Sequence, residues 1–124
     1  MQVFKIVDAD EWHAAEAQGV YRGSAADTRD GFIHLSTSEQ LARTLTRHFP
    51  DADNLLLVAF DSDDLGAALK WENSGDEDDF PHLYGDLDLK LVRWTHAIAK
   101  KAAGVYALPV QAFVSQPEPP KRTN

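Results

Sequence analysis

Residues 54–60, Asn-Leu-Leu-Leu-Val-Ala-Phe, form an uninterrupted apolar run of strand length, and this run is the strongest constraint on what the chain can fold into. A strand with one wetted face alternates apolar and polar residues, whereas a continuous run reads as a strand covered on both faces. Other elements must therefore lie against each side of it. The chain has 124 residues, 44% of them hydrophobic, which is the material for one domain with a single core. We expect that domain to span residues 1–114. Residues 115–124, Ser-Gln-Pro-Glu-Pro-Pro-Lys-Arg-Thr-Asn, are proline-rich and polar and predict a disordered tail.

Around the run, short strand-like and helix-like stretches alternate. Residues 3–7 are β-branched and aromatic and predict a strand. Asp8 or Asp10 can cap a helix over residues 11–18, with Trp12 and Ala15 on one face and Gly19 as its stop. Residues 20–22 predict a short extended piece, and the polar stretch 23–30 an exposed loop. Residues 31–36, Gly-Phe-Ile-His-Leu-Ser, predict a strand that feeds directly into a helix. Ser36 with Glu39, and Thr37 with Gln40, both have capping-box spacing; Leu41 and Leu45 share a stripe, and Pro50 closes the helix after about His48.

Beyond the apolar run, residues 61–64 predict a polar turn into a helical turn near 65–69. Residues 70–72 and 80–84 read as extended, on either side of a solvated acidic loop at 73–79. Residues 87–99 predict a strand with a bulge or turn near Asp88. Residues 100–104 then make a hairpin link, 105–108 a returning strand, and 110–114 its extension. Strands outnumber the two or three helices, which cluster in the first half, so the expected class is α+β rather than a regular βαβ repeat.

Composition removes several functions. The chain has 12 Lys plus Arg against 20 Asp plus Glu, a formal net charge of −8. Such a surface repels phosphate backbones, so duplex DNA and long RNA are not expected partners. There is no cysteine, which excludes disulfides, a thiolate nucleophile and Cys-ligated metals. The N-terminal apolar stretch is interrupted by Lys5 and followed by Asp8 and Asp10, unlike a targeting signal. No apolar run approaches the roughly 20 residues that cross a bilayer. A cytoplasmic protein with no membrane partner is the expectation.

Of the five histidines, two share a setting. Phe32-Ile-His34-Leu-Ser36 and Phe80-Pro-His82-Leu-Tyr84 each place an imidazole in an apolar extended segment with a hydroxyl two residues on. Period-two geometry puts His34 with Ser36, and His82 with Tyr84, on one face of their strands. These are two imidazole and hydroxyl pairs of the kind acid–base chemistry uses, and equally two settings for hydrogen-bonded core histidines. His13, His48 and His96 read as structural or exposed. Ser36 and Thr37, placed where a strand enters a capped helix, would suit an anion as well as the cap itself. Glu72 could act as a general acid or base, or simply sit in water.

No metal site is expected. A set of His34, His82 and Glu72 is too dispersed for spacing to support it, and the acidic run at 76–79 lacks the ligand pattern of an EF-hand. There is no P-loop, no GxGxxG and no Gly-x-Ser-x-Gly.

Residues 30–44, Asp-Gly-Phe-Ile-His-Leu-Ser-Thr-Ser-Glu-Gln-Leu-Ala-Arg-Thr, with Leu69-Lys-Trp-Glu72 and Phe80-Pro-His-Leu-Tyr-Gly85, resemble the small bacterial family called domain of unknown function 952. The resemblance spans residues 3 to about 109. It implies a fold similar to the ADP-ribosylation group, which includes ADP-ribosyltransferases and NAD-using RNA 2′-phosphotransferases. That fold is a mixed, split β-sheet whose cleft binds NAD in active members. The family's motif residues fall on His34, Ser36, Thr37, Glu72, His82 and Tyr84. His34 takes the position of the residue that contacts the NAD ribose. No Glu follows residue 88 before the tail, so Glu72 would have to stand in for the late-strand catalytic acid. Phosphates would need local cations, with Arg22, Lys70, Arg29 and Arg93 the nearest by context.

Three functions stay open at this point. The first is an enzyme or remnant enzyme acting on NAD or a related nucleotide, with His34, Glu72, His82 and Tyr84 as catalytic candidates and Ser36, Thr37, Arg22 and Lys70 as ligand contacts. The second is a non-catalytic module for a small ligand or protein partner. The third is a two-histidine phosphoesterase using His34-Leu-Ser36, although the second motif ends in Tyr84 rather than Ser or Thr.

Overall fold

The computed structural model describes residues 1–73, 75, 78–102 and 105–114. The expected tail at 115–124, the tip of the hairpin link and part of the acidic loop lie outside the described residues. In chain order the elements are β1 (Gln2–Asp8), α1 (Ala9–Gln18), β2 (Val20–Tyr21), α2 (Ala25–Asp30), β3 (Ile33–His34), α3 (Leu41–His48), β4 (Leu55–Asp61), α4 (Ser62–Leu65), β5 (Leu69–Glu72), β6 (Phe80–Leu83), β7 (Leu87–Asp88), β8 (Trp94–Ala102) and β9 (Val105–Ala107). Short 3-10 turns lie at Ser38–Gln40, Gly66–Ala68, Leu89–Leu91 and Val110–Ala112.

The apolar run becomes β4, an inner strand of a sheet ordered β1-β4-β8-β9. Its residues divide strictly by parity. Val58 and Phe60 join Val3, Val7, Trp12, Tyr21, Ile33, Leu35, Leu83 and Leu87 in one core. Leu55, Leu57 and Ala59 join Phe4, Ile6, Leu41, Leu45, Ile98 and Ala112 in the other. Covering both faces is what lets the six residues Leu55–Phe60 dispense with polar alternation.

The remaining strands form a pair, β2-β7, and a three-stranded sheet ordered β3-β6-β5. The β3 segment reaches the large sheet through an isolated bridge, in which Phe4 and Ser36 exchange backbone hydrogen bonds of 2.8 and 2.9 Å. The sheet is thus divided, as expected, but every strand pair among the described residues is antiparallel, not mixed. Of these pairs, β5-β6 and β8-β9 join consecutive strands, while β1-β4, β2-β7, β3-β6 and β4-β8 bring together strands that are distant in the chain.

The helices follow their caps. Asp8 accepts from the amides of Asp10 and Glu11, both at 3.1 Å, and Gly19, at φ +74°, ends α1. Thr37 and Gln40 make the capping box that precedes α3, and Leu41 and Leu45 are buried. Ser36 takes no part in that cap; its hydroxyl lies 3.1 Å from that of Thr44. At the other end of α3, the Tyr106 hydroxyl donates to the carbonyls of Phe49 and Ala52.

Three expectations need correction. Residues 23–30 are not an exposed loop: Ser24 caps α2, and Asp27 returns the bond from the N3 position. Ser24-x-x-Asp27 has capping-box spacing, but it has no apolar stripe behind it, because α2 turns a carboxylate inward rather than a leucine. Residues 110–114 do not extend β9. Pro109 brings no amide to continue a ladder, and a 3-10 turn follows it in which Ala112 is fully buried and accepts from Ser38 at 2.5 Å. Four α-helices stand where two or three were expected, the additional ones being a six-residue and a four-residue piece.

Candidate functional site

The register of the small sheet decides which side chains meet. His34 pairs with His82 across β3 and β6, and His82 pairs with Lys70 across β6 and β5. Paired residues share a face, and so do residues two apart. Phe32, His34, Phe80, His82, Tyr84, Lys70 and Glu72 therefore belong to one face. The rings confirm the placement: His34 and His82 lie 5.7 Å apart between centroids, and Phe32 stacks on His82 at 4.0 Å with 20° between planes. Phe32 also touches His34 and Tyr84, at 4.7 and 5.3 Å.

Each imidazole is held by carboxylates. His34 Nδ1 lies 2.6 Å from Asp27 Oδ1, and its Nε2 lies 2.9 Å from Asp30 Oδ2. A neutral imidazole donates from one nitrogen only, so which of the two contacts carries the proton depends on the tautomer. Asp27 also accepts from the His34 amide at 3.1 Å, the Ser24 amide at 2.9 Å and Lys5 Nζ at 2.8 Å. Burial alone would raise the Asp27 pKa, but the His34 hydrogen bond and the Lys5 charge outweigh it, so this carboxyl titrates well below the usual carboxylate range. Burial lowers the Lys5 pKa, and the Asp27 charge opposes that shift.

His82 Nδ1 lies 2.9 Å from Glu72 Oε1, the same oxygen that accepts from the Tyr84 hydroxyl at 2.7 Å. The Tyr84 bond, and then the His82 bond, hold Glu72 below the ordinary carboxylate value. In return the Tyr84 phenol is raised, first by its bond to Glu72. The expected pairing of His82 with Tyr84 is therefore made through a shared carboxylate.

A cavity of about 630 Å³ opens beside this face. His34, Ser36, Phe32, Phe80 and His82 line one part of it; Lys5, Glu11, Tyr21, Ser24 and Asp27 line its β1–α2 end, and Arg43, Thr44 and Arg47 its α3 side. Arg43 lies 5.6 Å over the Phe80 ring and 3.2 Å from Asp78.

The other sequence candidates fall elsewhere. The Thr37 amide donates to Gln40 Oε1 at 3.0 Å, and Gln40 is itself tied to the Asp79 carbonyl at 2.8 Å. Arg22 reaches Gln18 and, at 3.8 Å, Asp86, beside a separate depression of about 230 Å³. Arg29 lines the large cavity and pairs with Asp30. Arg93 binds Asp64 at 2.9 Å, away from the site. Among the described residues, no group of three or more His, Cys, Asp or Glu is arranged to hold a metal ion, and no helix is long and apolar enough to cross a membrane.

The sequence reading missed Lys5, Asp27, Asp30, Phe32, Arg43 and Arg47. Lys5 read as an interruption of an apolar strand, yet a charge in a strand whose neighbours are all buried already asked for a buried partner.

A family model described as Protein of unknown function (DUF952) matches residues 6–95. The crystal structure of protein CC0527 from Caulobacter crescentus is similar, with 40% identity and a TM-score of 0.87 over 92% of this chain and 100% of that one. The solution NMR structure of CC0527 matches with 42% identity and a TM-score of 0.74, over 82% and 87% of the two chains. No curated protein matches the chain.

Proposed function

The chain belongs to the family described as Protein of unknown function (DUF952), and from that premise we propose that its cavity takes NAD or a related nucleotide, on a fold of the ADP-ribosylation kind. The observation that carries the reading is the adjacency of His34 and His82 in one ladder, each fixed through Nδ1 to a carboxylate and both lining one cavity. An Nδ1 anchor fixes the ring and directs its other nitrogen outward. Among the described residues the His34 Nε2 partner is Asp30, which a ribose hydroxyl or carbonyl would replace. Phe32 and Phe80 offer apolar surface for a base, and Arg43 and Arg47, one helical turn apart, supply cations on the α3 side. Ser36 lines the same cavity and Lys70 neighbours His82 in register, whereas Thr37 and Arg22 are not among its lining residues.

Binding without turnover is the reading that Glu72 favours. A catalytic carboxylate must reach the substrate, whereas Glu72 is not among the residues that line the cavity, and its Oε1 is shared between His82 and Tyr84. In this reading Glu72 and Tyr84 position His82.

The test is an NAD titration followed by the imidazole NMR signals, with release of nicotinamide assayed in parallel. Shifts at His34 and His82 without nicotinamide release are expected. Release would establish the transferase reading instead, and no shift at either ring with millimolar NAD would overturn nucleotide binding. A 2′,3′-cyclic nucleotide serves as the control for the phosphoesterase alternative, which its cleavage alone would revive.

A further inference from the structure

The His34 ring meets a carboxylate at each nitrogen, Asp27 Oδ1 at 2.6 Å and Asp30 Oδ2 at 2.9 Å, and both carboxylates come from the short helix α2. Only an imidazolium can donate to both. A neutral ring must leave one nitrogen bare against a carboxylate, and the surroundings decide which contact is given up. The Asp27 side chain is 2% exposed, so losing a donor there is not made good by solvent, and the His34 amide, the Ser24 amide and Lys5 Nζ hold it in place. Asp30 is the opposite: its side chain is 35% exposed, and on leaving the ring it keeps Arg29, at 3.1 Å. The neutral ring therefore keeps its proton on Nδ1 and gives up Asp30.

No other charged group stands at Nε2 among the described residues. Lys5, from β1, binds the His34 carbonyl at 3.2 Å rather than the ring. His82, from β6, lies 5.7 Å away between centroids, with its Nδ1 engaged by Glu72, and Arg29 meets the far partner, Asp30. His34 and Asp30 both line the large cavity, so the contact between them lies where a ligand would. A bare Nε2 is an acceptor, and what it takes from a ligand is a hydroxyl or an N–H, not a carbonyl or phosphate oxygen.

We propose that Asp30 is a proton-controlled latch on the cavity: protonated His34 holds Asp30 across Nε2, and neutral His34 releases it and accepts a hydroxyl or N–H of the ligand in its place. The latch rests on the nucleotide reading above for its ligand and narrows it, because the partner of His34 becomes a ribose hydroxyl rather than a carbonyl.

Since the proton must leave before the ligand is accepted, affinity for NAD should rise with pH across the range of about 5 to 8 in which histidines change charge, by up to about ten-fold per pH unit for one proton released. Asp30→Ala removes the competitor, and a ligand hydroxyl then accepts from Nε2–H as readily as it donates to the bare nitrogen, so affinity should be level over the same range. Asp30→Asn, equal in size and uncharged, repeats the test if alanine disturbs α2. Without ligand, the ring nitrogen NMR shifts should show Nε2 losing its proton while Nδ1 keeps its own, with the Asp30 carboxylate carbon signal moving in step. Loss from Nδ1 instead, or an Asp30 signal indifferent to the ring, overturns the latch whatever NAD does. So does NAD binding with one affinity at every pH, or with a pH dependence that the Asp30 variants leave unchanged, although nucleotide binding then survives. Ribose, titrated beside NAD as a hydroxyl probe without phosphates, separates the two ideas. Ribose binding that tightens with pH while NAD is silent keeps the latch and removes the nucleotide, and silence from both overturns both.

Discussion

His34 and His82 stand opposite each other in one ladder, and their anchoring is inverted. The His34 side chain is 39% exposed, but the carboxylate behind it, Asp27, is buried; His82 is itself buried, and its carboxylate, Glu72, sits at the surface. On physical grounds the burial of the anchor, rather than of the imidazole, should tie a site residue to the stability of the fold. A buried carboxylate must be satisfied from several directions, and Asp27 draws in β1 through Lys5, its own helix cap through Ser24, and β3 through His34. A surface carboxylate is partly hydrated whatever it holds, so its partners contribute position more than free energy.

Removing the buried anchor should break the comparison most strongly. Asp27→Ala leaves the ammonium of Lys5 buried without its partner, and a loss of about 3–5 kcal/mol is expected in urea unfolding. If the matching Glu72→Ala change costs as much, the inversion carries no energetic meaning.

Acid should expose the same asymmetry more gradually. Asp27 titrates lower folded than unfolded, so its stabilisation is complete above the unfolded value of about 3.9 and is lost as pH falls toward the depressed folded value. Unfolding free energies measured from pH 5 down to pH 2 should fall more steeply for the wild type than for Asp27→Asn.

Phe32 bridges the two rings, so Phe32→Ala should act on both sides at once, costing about 1–2 kcal/mol from lost stacking and partial burial. Both imidazole spectra should change together; a change confined to His34 would mean that the stack on His82 is not holding it. The smallest effect is expected from Glu72→Gln, which should leave the unfolding midpoint in place while changing the nitrogen shifts of His82 and not those of His34. A shift at both would show that the two histidines are one coupled unit.

Much of the framework was readable because it rests on local signals. The apolar run of β4, the Asp8 and Gly19 boundaries of α1 and the Thr37–Gln40 box each follow from a few neighbouring residues. Period-two reasoning also placed His82 and Tyr84 on one face, where both meet Glu72. It could not give the register between strands, and only register makes His34 and His82 neighbours. Nor could it show that the Ser36 hydroxyl would lie 3.1 Å from that of Thr44, where the chain crosses beyond β3 to bridge with Phe4. Lys5 and Asp27 are 22 residues apart, and no local pattern announces that a charge in one strand will be answered from a short helix. The cationic side of the cavity was hidden for a similar reason: no local pattern places Arg43 5.6 Å over the Phe80 ring, or Arg43 and Arg47 beside the cavity that His34 and His82 line.

The double use of Asp27 has a kinetic consequence. A helix of six residues has almost no stability of its own, and α2 keeps its shape through the cap and the ion pair that this one carboxylate completes. Any local opening that frees Asp27 releases Lys5 and His34 in the same event. The amides of α2 and the ring of His34 should then report a single opening rate in hydrogen exchange, so access to this side of the cavity and fraying of the helix are one motion.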